Sequence, residues 1–209
     1  MRHKSLLVGL ALLSCTQTPS EPDVTELPTS PVAKSARGNI RFKGPERINS
    51  DFSAILELRP ESVCLELGLY ACTSQVHLVA LGGVDPYGAG VYESSGITAS
   101  TTPIIVDRIA WAACTQRVNS DLGNPDAAVI FRGIPLADQK LASPDGPEVH
   151  SAITQLVQRT YLRNPYRPEV DRYVRLAKDI EAAGTATPAK DWMQSVCFAV
   201  LSSAESVFY

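Results

Sequence analysis

The sequence is short of histidine, short of aromatic residues, and contains no long apolar run, and each shortage narrows what the chain can be. Only 3 histidines occur in 209 residues. None stands at ligand spacing from a second His, Cys or carboxylate, so a histidine-built metal or catalytic centre has little to draw on. No cysteines are spaced C-x-x-C or C-x-x-C-H, which removes zinc-ribbon, thioredoxin-like and covalent-haem chemistry. The nucleophile elbow, the phosphate-cradling loop, H-E-x-x-H and the EF-hand pattern are absent too. With 19 Lys and Arg against 22 Asp and Glu, the chain lacks the basic excess that binding to nucleic acid calls for. No cofactor is implied.

What the chain does have begins at its first residues. Arg2, His3 and Lys4 form a positive segment, and Leu6 to Leu13 an uncharged apolar one. That run is far shorter than the roughly 20 residues a spanning helix needs, so it reads as an export signal. Leu12-Leu13-Ser14-Cys15 resembles the lipobox of bacterial lipoproteins. The resemblance implies that Cys15 receives a diacylglyceryl group on its thiol, that residues 1–14 are cut away, and that the new amine is acylated, typically with palmitate. Two or more acyl chains hold a protein stably where one is reversible. Thr16 stands where an inner-membrane retention signal would carry aspartate, and so favours the outer membrane. Removing Arg2 and Lys4 with the signal makes the formal charge of −3 more negative by two.

Residues 15–50 are rich in Pro, Ser, Thr and Glu and lack a sustained apolar pattern, as a disordered tether does. As a flexible coil it would hold the rest an average of roughly 30–35 Å from the lipid. Residues 51–209 suit one domain. A stretch near Asn39-Ile40-Arg41-Phe42 is expected to pair with it.

With Cys15 assigned to lipid, Cys64, Cys72, Cys114 and Cys197 remain, an even number in an exported chain. Two disulfides are expected, and the preferred pairing of three is Cys64–Cys72 with Cys114–Cys197. Loop entropy would make these contribute on the order of 2.6 and 4.6 kcal/mol. The alternative is that Cys114 and Cys197 are small buried hydrophobes on helix faces.

The expected fold is mainly α with a small β element. Val63–Leu67 and Val76–Leu81, flanking Gly68-Leu69-Tyr70-Ala71, read as two strands or a hairpin. Four helices follow: one from an N-cap at Thr102 to about Ser120, one over about 147–162, one over about 168–183 ending at Gly184, and one from Thr187-Pro188 to the chain's end. The last carries Trp192, Val196, Cys197, Val200 and Leu201 at helical spacing and is expected to be buried.

Functional candidates are few. Gly82 to Gly90 is a loop by its glycines and proline, and Tyr87 with Tyr92 could offer stacking surfaces to a sugar or small ligand. A plain connection is the weightier reading. His77, in an apolar stretch, reads as structural, and His150 as solvent-facing. Arg159, Arg163 and Arg167, close to Glu169 and Asp171, read as a paired, solvated surface. Asp107 and Arg108 are adjacent and do not face each other on a helix, so each should find another partner.

The C-terminal third adds a resemblance. Gln158-Arg159-Thr160-Tyr161-Leu162-Arg163-Asn164-Pro165-Tyr166-Arg167-Pro168-Glu169 is similar to the aromatic-Arg-Arg-Pro…Glu helix–turn–helix of domains of unknown function in large exported planctomycete and myxobacterial proteins, often fused to cytochrome c modules. Ala199 to Tyr209, with its Leu-Ser-Ser…Phe-Tyr, is similar to the helix that closes those domains. The likeness covers about a quarter of the chain and implies a helical fold and an exported habitat. The chain departs from the pattern in having no haem-attachment site and Asn164-Pro165-Tyr166 in place of Arg-Pro-Leu.

The expectation is thus a lipid-anchored protein of the cell envelope, most readily the outer membrane. It would serve as a non-enzymatic accessory or binding subunit with an envelope protein as partner. A glycan- or small-ligand-binding or -processing protein and an accessory to envelope electron transfer are the alternatives.

Overall fold

Five prolines mark five helix starts. Pro45, Pro103, Pro147, Pro168 and Pro188 each occupy one of the first two positions of an α-helix, where the ring's fixed φ suits the helix and no backbone N–H is lost to bonding. The computed structural model describes residues 40–95 and 99–209. Its α-helices are α1 (Pro45–Leu56), α2 (Thr102–Gly123), α3 (Pro147–Tyr161), α4 (Arg167–Ala182), α5 (Pro188–Leu201) and the single turn α6 (Ala204–Val207). Two short antiparallel hairpins, β1 (Leu65–Glu66) with β2 (Tyr70–Ala71) and β3 (Leu136–Ala137) with β4 (Lys140–Leu141), complete it. The fold is mainly helical with a small β component, as expected.

Helix α5 is the centre. Trp192, Met193, Val196, Cys197, Val200 and Leu201 are buried on it, and it packs chiefly on α2 and α4. The Trp192 Nε1–H donates to the Tyr173 carbonyl at 2.9 Å, and Phe131 meets the indole edge to face at 5.9 Å. Helix α2 supplies Ile105, Ile109, Ala113, Cys114 and Val118 to the same core. The Cys114–Cys197 disulfide joins α2 to α5, with Cα atoms 5.7 Å apart, and the Cys64–Cys72 disulfide closes the β1–β2 hairpin at 5.5 Å.

Four expectations need correction. The boundary at residue 50 cuts through α1, whose Ile48, Phe52 and Ile55 recur at i, i+4 and i+7 and are buried in the core; with α1 and α6 the α-helices outnumber the four expected. Val76–Leu81 is no strand: a π-helical segment (Cys72–Val76) leads to a 3₁₀ turn (Val79–Leu81). The Ala80 carbonyl, which a neighbouring strand would have used, accepts the Thr102 hydroxyl at 2.8 Å. That buried hydroxyl is therefore a tie to Ala80, and the N-cap is Thr101. The final helix breaks at Ser202–Ser203, where the Ser203 hydroxyl accepts the Ser206 N–H and starts α6. The chain then bridges back: Phe42 pairs antiparallel with Phe208, and Arg41 and Tyr209 exchange backbone hydrogen bonds at 2.9 and 3.0 Å. No described helix is long and apolar enough to cross a membrane.

Candidate interaction face

The β1–β2 hairpin places apolar side chains in water. Its turn, Glu66 to Leu69, is closed by the Leu69 N–H to the Glu66 carbonyl at 3.0 Å. Leu67 and Gly68 both have left-handed backbone, φ 54° and 73°. Such a turn matches strand twist but favours Asn, Asp or Gly at both positions; a leucine there costs about 1–2 kcal/mol. Leu67 is nevertheless 87% exposed, Leu69 74% and Tyr70 51%. Leu65 and Leu69 also border a concavity of about 580 Å³ between the hairpin and α1, lined further by Asn49, Pro60 and Thr73.

The hairpin's base is rigid. Besides the disulfide, the Cys72 N–H donates to the Cys64 carbonyl at 3.1 Å. Glu66, cross-strand neighbour of Tyr70, is held from two sides. Arg108 Nη2 reaches both its oxygens, at 2.7 and 2.8 Å, and His77 Nε2 bonds Oε1 at 3.1 Å. The His77 bond, then Arg108, holds the Glu66 carboxyl below the usual carboxylate range. His77 thus has a structural partner, and Arg108 finds its carboxylate on the hairpin rather than at Asp107.

Arg108 links this hairpin to the outer face of α2. Ile104 and Trp111 lie one turn before and after it on the same stripe, and both are exposed, Trp111 by 47%. The indole contacts Phe198 of α5 edge to face at 5.7 Å. Sequence reasoning missed Leu67, Leu69, Tyr70, Ile104 and Trp111. The available signal was four uncharged residues, Leu67-Gly68-Leu69-Tyr70, between cysteines eight apart.

The loop candidates fare differently. Asp85 and Val91 bridge across the 82–90 loop, and the Asp85 carboxylate accepts the Gly88 N–H at 2.8 Å. Tyr87 is 99% exposed and Tyr92 76%; neither lines the concavity described above. His150 faces Asp145 at 2.8 Å, half exposed. Cys15, with the expected leader and most of the expected tether, lies outside the described residues. Among the described residues no group of three or more His, Cys, Asp or Glu is placed to hold a metal ion.

Of the three arginines singled out in the C-terminal third, Arg159 and Arg163 are paired, and Arg167 makes no ion pair among the described residues. Arg159 bonds Glu57 of the α1 end. Arg163 bonds both Glu169 and Glu205, with the Tyr161 and Tyr166 rings 5.0 and 4.5 Å from its guanidinium carbon. The Tyr161 hydroxyl donates to Ser203 Oγ at 2.8 Å. The two segments quoted for the family resemblance, 158–169 and 199–209, therefore meet, and they meet through ion pairs and a hydrogen bond that hold α3, α4 and α6 together. No family model, curated protein or solved structure matches the chain.

Proposed function

We propose that this chain is a lipid-anchored envelope protein, tethered through Cys15, that works as a non-enzymatic accessory subunit by docking a protein partner on the outer face of α2. The observation that carries the docking is Trp111: a tryptophan half exposed on a disulfide-held helix, one turn from an arginine pinned by Glu66. Tryptophan, tyrosine and arginine dominate the binding energy of protein interfaces, and a side chain already fixed by Phe198 loses little freedom on binding. The two disulfides suit an oxidising compartment, and the lipobox resemblance supplies the anchor.

Two substitutions test the parts separately. Cys15→Ser should leave the precursor uncut and release the chain from the membrane fraction; unchanged membrane retention would sink the anchor. A photo-crosslinking amino acid at position 111 should give one envelope-protein adduct in intact cells. That adduct should vanish with Arg108→Glu, and an adduct pattern insensitive to it would sink the docking face.

A further inference from the structure

We infer that the β1–β2 hairpin tip is a second membrane contact, dipping Leu67 and Leu69 into the acyl region of the bilayer with Tyr70 at its headgroups. The inference rests on the lipid-anchored reading. Three observations carry it. The tip, Leu67-Gly68-Leu69-Tyr70, has no charge and protrudes, with exposure highest at its apex. The one carboxylate on β1, Glu66, is paired with Arg108 and hydrogen-bonded by His77, so no unpaired charge on that strand opposes entry into a low-dielectric layer, and Glu46 and Glu61, which line the concavity beside Leu69, lie outside the tip. Finally, Leu67 sits in a left-handed turn position where Asn or Gly would be less strained, and strain kept at an exposed site is a mark of function.

The choice of lipid over protein follows from size and from the tether. Three side chains fall far short of the roughly 800 Å² per partner that a stable protein interface buries. For a chain already held to the bilayer a small contact suffices, because the second binding event is intramolecular. About two dozen residues separate Cys15 from the first bridge at Phe42, and a chain of that length reaches at most about 90 Å whatever its conformation. The tip is thereby confined near the surface. Leucine suits the acyl layer and tyrosine the headgroup level. The disulfide and the Glu66 ties keep the tip in one shape, so little order is lost on insertion.

The test uses the full lipidated chain in phosphatidylethanolamine–phosphatidylglycerol vesicles whose acyl chains carry bromine, a short-range quencher of tryptophan. Leu67→Trp adds an emitter at the tip, read as the difference from the unsubstituted chain. Most of that added emission should be lost, and adding Leu69→Glu should restore it. Tyr87→Trp, on the fully exposed loop, should stay bright; equal quenching there would mean indiscriminate surface contact and overturn the inference. An unquenched Leu67→Trp in a chain that still floats with the vesicles overturns the inference alone. A chain that does not float overturns the anchor as well. Shielding of the tip tryptophan from iodide in native membranes, without quenching in brominated vesicles, would place it in a protein groove and also overturn the inference.

Discussion

Arg163 and Glu205, 42 residues apart in the chain, are joined by two parallel hydrogen bonds, Nε to Oε1 at 2.7 Å and Nη2 to Oε2 at 2.8 Å. The remaining N–H groups of the guanidinium go to both oxygens of Glu169 and to the Asn164 carbonyl. All five donors of the arginine are thus used. Glu169 in turn accepts the Tyr166 N–H at the start of α4. One side chain closes the α3–α4 turn and fastens the C-terminal turn to it.

Replacing Arg163 with lysine should lower the melting temperature, because an ammonium cannot make two forked pairs at once. Alanine should lower it further. The double variant Arg163→Ala/Glu205→Gln should cost less than the sum of its singles, since they share one interaction. Strict additivity in thermal melts would show that the Arg163–Glu205 pair contributes no interaction energy.

The same site sets an acid limit. The Arg163 bond, foremost, holds the Glu169 carboxyl below the usual carboxylate range, as His77 and Arg108 do for Glu66. Unfolded carboxylates take up protons near pH 4.3, so there the unfolded state binds more protons. The stability these groups contribute is present above that pH and lost as pH falls through their folded values. Denaturant midpoints should fall from neutral to acid pH, and Glu169→Gln should flatten the fall. At the alkaline end, burial pushes the Tyr173 hydroxyl up to about 12 and raises that of Tyr161. Their contribution holds below the unfolded value near 10 and is lost above it. An ultraviolet titration should show late-ionising phenols that merge with the others in denaturant.

Asp121 should be the costliest single polar residue to remove. Its side chain is fully buried and accepts the N–H groups of Val129, Ile130 and Phe131 at 2.9–3.1 Å, as well as Arg117 at 2.8 Å. Asp121→Ala strands a buried guanidinium and three amide donors, with an expected loss of about 3–5 kcal/mol. Urea midpoints measure it; a loss below 1 kcal/mol would contradict the arrangement.

The two disulfides should differ in weight. Opening Cys114–Cys197, 83 residues apart, should cost on the order of 4.6 kcal/mol, and Cys64–Cys72, 8 apart, about 2.6. The paired alanine variants should follow that order in chemical denaturation. Loss of the short bridge should also loosen the hairpin, read as faster exchange of the backbone amide at position 72, which donates to the carbonyl at position 64.

Much of the helical frame was legible because its signals are local. Pro103, Pro147, Pro168 and Pro188 each open a helix, Gly184 at φ 71° closes α4 as its position promised, and the apolar spacing of α5 is a periodicity any reader can count. Cysteine parity called for two disulfides, and the structure forms the preferred one of the three pairings. Helix α1 carries the same kind of signal, Ile48, Phe52 and Ile55, but it is short and follows a Pro- and Ser-rich stretch whose composition masks it.

The rest turned on contacts between distant residues. Nothing near Val76–Leu81 announces that Thr102 will take the Ala80 carbonyl and leave helical turns in place of a strand. Nothing beside Asp121 says that it will gather the 129–131 amides, or beside Glu66 that Arg108 and His77 will brace it. The sequence by itself determined where four of the helices lie, an even cysteine count that calls for two disulfides, and the expectation of a lipid anchor, because caps, periodicity and cysteine parity act over a few residues or by simple count. Only the tertiary structure decided which charges neutralise each other and which leucines are left in water. Those outcomes depend on which surfaces the helices bury against one another, and that is a property of the packed whole.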